Sequence, residues 1–126
     1  MHRLLAALVL ALLLATASAA HARGGGGEAR ANGVCGRGAS AELRLKGDDG
    51  AIRVELRIKG RSRGDRWRVA LVHERRVSWR GTIRAGGGGE ARLRRTLPDY
   101  AGADEISALA TGPRGLSCRA TATLGG

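Results

Sequence analysis

The sequence predicts an all-β domain, a seven-stranded antiparallel sandwich, on three observations. From Ala39 onward, apolar and charged residues alternate with a period of two. The alternating runs recur at intervals of about 8 to 12 residues and are separated by Gly, Pro and Asp. No stretch carries the period of an amphipathic helix. Such strands suit a sandwich or a small barrel, with one face of each strand charged and wet and the other turned to an opposing sheet.

Ahead of the strands, Met1-His2-Arg3 gives way to an apolar run over residues 4–14 and then to small residues ending in Ala20-His21-Ala22. A short basic start, an apolar stretch too short to span a bilayer and an Ala-x-Ala end make a secretory signal peptide over residues 1–22. An alternative cut after Ala19 fits nearly as well. With no second apolar run, the mature chain is expected to be secreted and extracellular, without a transmembrane segment. Residues 23–34 read as a Gly-rich flexible tether, and residues 35–126 as the folded domain. The heptad Gly24-Gly25-Gly26-Gly27-Glu28-Ala29-Arg30 returns as Gly86-Gly87-Gly88-Gly89-Glu90-Ala91-Arg92. One recurrence does not make a repeat architecture, and the second copy reads as a loop entering a strand.

The first strand is marked by Ala41, Leu43 and Leu45, the second by Ile52, Val54, Leu56 and Ile58, with a hairpin turn at Gly47-Asp48-Asp49-Gly50 between them. Trp67, Val69 and Leu71 mark a third. Val77, Trp79 and Ile83 mark a fourth, interrupted at Gly81. Ala91, Leu93 and Leu97 mark a fifth, Ile106, Ala108 and Ala110 a sixth, and Cys118, Ala120, Ala122 and Leu124 a seventh. With no Phe, two Trp and one Tyr, the core rests on aliphatic residues, and a covalent staple would help so small a domain. Cys35 and Cys118 are the only cysteines, and export makes a disulfide between them the natural reading. In the chain-entropy model it is worth roughly 4–5 kcal/mol. It would pin the N-terminal edge to the final strand.

The run Leu97-Pro98-Asp99-Tyr100-Ala101-Gly102-Ala103-Asp104-Glu105-Ile106-Ser107-Ala108 resembles the entry to the sixth strand of immunoglobulin-like and fibronectin type III-like domains, where Gly-x-Asp-x-apolar-x-Ala is common. The whole arrangement is similar to small secreted single-domain β-sandwich proteins of high-GC bacteria. The resemblance implies an immunoglobulin-like sandwich and, since fold alone carries no activity, no particular function.

The chemistry-bearing residues do not assemble into a known catalytic or metal motif. His73 is the one histidine outside the leader. In Val72-His73-Glu74-Arg75-Arg76 it reads as a solvated hairpin-tip residue rather than a base. Asp48, Asp49, Asp65 and Asp104 lack the spacing of a calcium loop. The Gly runs lack the Lys-Ser/Thr of a phosphate loop. No catalytic residue, metal ligand or cofactor is therefore assigned. Arg63-Gly64-Asp65 matches the integrin-recognition tripeptide, but Arg and Gly are abundant enough for a chance match.

Charge is the remaining signal. The chain carries +11, of which Arg3 leaves with the signal, and all but Lys46 and Lys59 of its basic residues are Arg. Genome composition favouring Arg, Ala and Gly explains much of this. Alternation nevertheless turns Arg53, Arg57, Lys59, Arg92 and Arg94 outward, and these form the expected polyanion-binding face if the first, second and fifth strands share a sheet. Arg66, Arg68, Arg76, Arg80 and Arg84 form a second stripe. Three aromatics offer no stacking platform for sequence-specific nucleic-acid binding. The expected function is a monomeric, non-catalytic binding or envelope-associated module for anionic cell-envelope or extracellular polymers. The alternative is a protein–protein module, adhesin- or inhibitor-like, using the loops over 60–65 and 112–115.

Overall fold

The computed structural model describes residues 27–125, so the expected signal peptide lies outside the described residues. Nine strands form: β1 (Glu28–Asn32), β2 (Val34–Cys35), β3 (Ser40–Asp48), β4 (Ala51–Lys59), β5 (Arg66–His73), β6 (Arg76–Arg84), β7 (Glu90–Pro98), β8 (Asp104–Thr111) and β9 (Ser117–Leu124). They make two antiparallel sheets, β1-β3-β4-β7 and β2-β9-β8-β5-β6. There is no α-helix among the described residues, and none of their helices is long and apolar enough to cross a membrane.

The seven expected strands are β3 to β9, and their alternation has the expected phase. Leu43, Leu45, Ile52, Leu56, Ile58, Trp67, Leu71 and Ile106 are wholly buried between the sheets, with the smaller Val and Ala side chains filling the gaps. The β3–β4 hairpin turns at Asp49 and Gly50, both with positive φ (46° and 79°), as a two-residue turn of the favoured hand requires.

Two additional strands correct the seven-strand expectation: β1 lies within residues 23–34, and β2 straddles the boundary at Val34–Cys35. Glu28–Asn32 pairs with β3, placing Ala29 opposite Leu45 and Ala31 opposite Leu43. Val34–Cys35 pairs with β9 in the other sheet. The chain changes sheets at Gly33, whose N–H donates to the Ala41 carbonyl at 2.7 Å. A Cβ there would stand 2.8 Å from the Ala41 methyl, so only glycine permits the crossing. These strands escape a hydrophobic-period reading because backbone pairing, with two half-buried alanines, holds them. The Cys35–Cys118 disulfide joins directly opposed residues of β2 and β9, so the staple fastens the first strand of the five-stranded sheet to the last.

The fourth expected strand is not interrupted at Gly81: β6 runs unbroken from Arg76 to Arg84. The Trp79 ring lies over Gly81, where a Cβ would collide with it. The guanidinium of Arg95 on β7 in turn stacks 4.7 Å from the Trp79 ring, closing the edge where β6 and β7 pass one another.

Candidate functional site

The outer face of the four-stranded sheet brings together all five residues expected to bind polyanions. The first, second and fifth long strands (β3, β4 and β7) do share a sheet. Register sets Arg57 opposite Arg92, Glu55 opposite Arg94 and Lys59 opposite Glu90. The same register supplies acids. Arg53 Nε lies 3.5 Å from Asp48 Oδ2, Arg57 Nε 2.9 Å and Arg92 Nε 2.8 Å from Glu90 Oε1, and Arg94 Nη2 3.8 Å from Glu55 Oε1. Arg44 pairs with Glu42 at 3.2 Å and Arg30 with Glu28 at 3.6 Å. Glu90 has its pKa lowered, first by the Arg92 hydrogen bond and then, against some desolvation, by the charges of Arg92, Arg57 and Lys59. Four of the five predicted residues are thus already engaged, and only Lys59 has no ion pair among the described residues.

The outer face of the five-stranded sheet is different. Arg66, Arg68, Arg80, Arg84 and Arg119 all point outward and exposed from β5, β6 and β9. None of them has an ion pair among the described residues. Arg66 stands directly opposite Arg84, a like-charge cross-strand pair that is unfavourable without a counter-charge. The outward acid of β8, Glu105, lies four residues from Leu109, roughly 13 Å along the strand and toward the other end. Between the arginines, Ala70 faces Leu109 on one side and Arg80 on the other, forming the floor of a groove of about 420 Å³.

A third cluster closes the far end of this sheet. His73 was expected to be a solvated tip residue; it is buried, 1% exposed. The inward phase of Trp67, Val69 and Leu71 continues to position 73, and the turn is Glu74–Arg75, both at positive φ (51° and 66°). His73 Nε2–H donates to Asp104 Oδ1 at 2.7 Å, the Tyr100 N–H reaches the same oxygen at 3.2 Å, and the Tyr100 ring stacks on the imidazole at 4.5 Å. Glu74 Oε1 accepts the Glu105 N–H at 2.7 Å, while the Glu74 N–H donates to the Glu105 carbonyl at 3.1 Å. Burial opposes ionisation of Asp104, but hydrogen bonds from His73, Asp99 and the Tyr100 N–H prevail and lower its pKa. Asp99, hydrogen-bonded to Asp104, has its pKa raised by that bond, by burial and by the neighbouring charge.

Chemically this cluster is a clasp. His73 Nδ1 meets no hydroxyl or thiol among the described residues, so no nucleophile completes a triad. Donor atoms of His73, Glu74 and Asp104 lie within 4.8 Å of one another. However, Asp104 Oδ1 and Glu74 Oε1 already hold two loops in place. Phase is the sequence signal that marks this pair as buried: Asp104 is two residues before Ile106 on the buried side of β8, as His73 is two after Leu71 on β5.

The Arg63-Gly64-Asp65 loop is drawn against the domain by bonds from Gly64 N–H to the Ala85 carbonyl and from Ala85 N–H to the Asp65 carbonyl, both 2.8 Å. Asp65 Oδ2 is shut off from solvent, a poor presentation for a carboxylate meant to meet a receptor. No family model matches the chain, and no curated protein is significantly similar to it.

Proposed function

We propose that this domain is a secreted, non-catalytic module that binds anionic polymers of the cell envelope or extracellular matrix. The binding surface in this reading is the outer face of the five-stranded sheet. The observation that carries it is the opposed pair Arg66–Arg84, flanked by Arg68, Arg80 and Arg119, with no carboxylate partner among the described residues. Uncompensated guanidinium groups suit sulfate, phosphate and carboxylate groups, which they meet through bidentate hydrogen bonds. Export is supported by the signal-like sequence over residues 1–22 and fits the disulfide. The order of the long strands departs from the constant-type immunoglobulin arrangement by one transfer, β6 lying beside β5 instead of in the sheet of β3, β4 and β7. That favours the fibronectin type III-like member of the two resembling families.

The test is retention on a sulfated-polymer column at increasing salt. Arg66→Gln, Arg84→Gln and Arg119→Gln together should elute at much lower salt and flatten the salt dependence, each lost contact lowering the log–log slope by about 0.7–0.9. Arg53→Gln, Arg57→Gln and Arg92→Gln together should change elution far less. The reverse ranking returns binding to the four-stranded face, and no retention of the native domain at low salt ends the polymer reading.

A second reading, contact with a protein partner, is favoured by exposed Tyr100 and Val77 at the His73 end (50% and 47% exposed). Tyr100→Ala with Val77→Ser should abolish such contact while leaving polymer retention intact.

A further inference from the structure

Resting on the polymer reading, we infer that the groove between Arg68 and Arg80 is a subsite for a single pyranose ring carrying a carboxylate or sulfate. Its volume, about 420 Å³, lies near the lower end of the roughly 300–1,000 Å³ of small-molecule sites, which suits one ring rather than a stretch of chain. Arg68 and Arg80 are diagonal neighbours across β5 and β6, since Arg80 faces Ala70 and Arg68 precedes Ala70 by two residues. That sets their backbones about 7–8 Å apart. Between them the floor is apolar: Ala70 and Leu109, opposed across β5 and β8, are each half-buried. The hydroxyl residues Thr82 and Thr111 stand opposite Arg68 on either side.

This combination selects among anions. A linear polyphosphate satisfies guanidinium groups but gains nothing from covering two aliphatic side chains. A sugar ring offers one face of C–H groups to Ala70 and Leu109, hydroxyls to the threonines and its charged substituent to the arginines. Charge brings the polymer to the sheet, and the floor chooses the ring.

The experiment uses the full mature, disulfide-bonded chain, followed by NMR of its methyl groups and of its arginine Nε–H groups. Three probes are titrated: a uronic acid trisaccharide, a sulfated disaccharide and inorganic polyphosphate. The methyls of Ala70 and Leu109 should shift saturably with the trisaccharide, the disaccharide or both, which also identifies carboxylate or sulfate as the group read. Polyphosphate should move the arginine side-chain signals and leave those methyls in place. Ala70→Leu, which fills the floor from the outward-facing, half-buried side of β5, should weaken saccharide binding at least tenfold without changing polyphosphate retention. Polyphosphate shifting the same methyls as strongly, or Ala70→Leu weakening both ligands alike, overturns the subsite. If the sulfated column retains the domain but no saccharide moves the methyls, the subsite alone falls. If neither polymer is retained at low salt, the polymer reading falls with it.

Discussion

Arg57 and Arg92 face each other across β4 and β7, just as Arg66 and Arg84 do across β5 and β6. In the first pair Glu90 reaches both guanidinium groups through one oxygen, at 2.9 and 2.8 Å. In the second no acid is within reach among the described residues. Counting arginines therefore misleads. The four-stranded face holds more basic residues, yet its acids stand in register with them, while the sparser face has no such acids among the described residues. Exposed pairs contribute little to stability, so the difference matters for the local field, which decides what the surface attracts.

The sheets also differ in what holds them, and that gives the largest expected effect. Only the five-stranded sheet is stapled. Cys35→Ser with Cys118→Ser should lower stability by roughly 4–5 kcal/mol in the chain-entropy model, measured by denaturant unfolding. Hydrogen exchange should show β2 opening far more than β1, which the four-stranded sheet holds by backbone bonds and the packing of Ala29 and Ala31, with no covalent link. Equal loosening of both strands would mean that they act as one piece.

Next in size is the clasp. His73→Ala strands the buried Asp104 carboxylate and should cost roughly 3 kcal/mol. The arginine end of the same sheet should be untouched, so the salt slope of polymer retention should not change in conditions where the variant is folded. The sign of the pH response follows from the two aspartates. Asp104, with its pKa lowered, contributes stability that is present above the ordinary carboxylate pKa and lost as pH falls through its folded value. Asp99, with its pKa raised, contributes in the opposite sense, fully present in acid and lost as pH rises through its folded value. Asp99→Asn keeps a donor toward Asp104 at every pH. It should raise the thermal midpoint at pH 7 and leave it nearly unchanged at pH 3.

The comparison of faces can also be inverted. Glu90→Gln with Glu55→Gln releases Arg57, Arg92 and Arg94, and should give the four-stranded face measurable retention on a sulfated column where the native face has little. The smallest effect is the same experiment done with acid. In a background of Arg66→Gln, Arg84→Gln and Arg119→Gln, retention should return only below the ordinary glutamate range, because Arg92 and its neighbours hold Glu90 ionised to lower pH. Return at higher pH would mean that Glu90 is not the group silencing that face.

Much of this architecture was legible because burial writes a period of two. The phase of Leu43, Ile52, Trp67 and Ile106 survives intact, and the condition that β3, β4 and β7 share a sheet is met. Charge compensation was not legible, since Glu90 lies 33 residues from Arg57 and meets it only through register. His73 keeps the inward phase of Trp67 and Leu71, but the charged run Glu74-Arg75-Arg76 beside it makes the segment from Val72 onward read as a hairpin tip. The turn itself is confined to Glu74–Arg75. The duplicated heptad carried more than its composition suggested. Its two Glu-Ala-Arg copies begin β1 and β7, the two edges of the four-stranded sheet, and each Glu pairs with the Arg two positions on, at 3.6 and 2.8 Å.

The pairing of β2 with β9 has a consequence for how the molecule is made. Cys35 and Cys118 are separated by 83 positions, and β9 follows the other eight strands of the described residues in the chain. Contacts this distant form late, after the cost of closing a long loop has been met. Until β9 arrives, β8 has an open edge and Cys35 has no mate. A chain that stops anywhere before position 118 therefore carries Cys35 as a free thiol, which the bridged chain does not. The arrival of β9 is recorded chemically, in a group that any thiol-reactive partner can read.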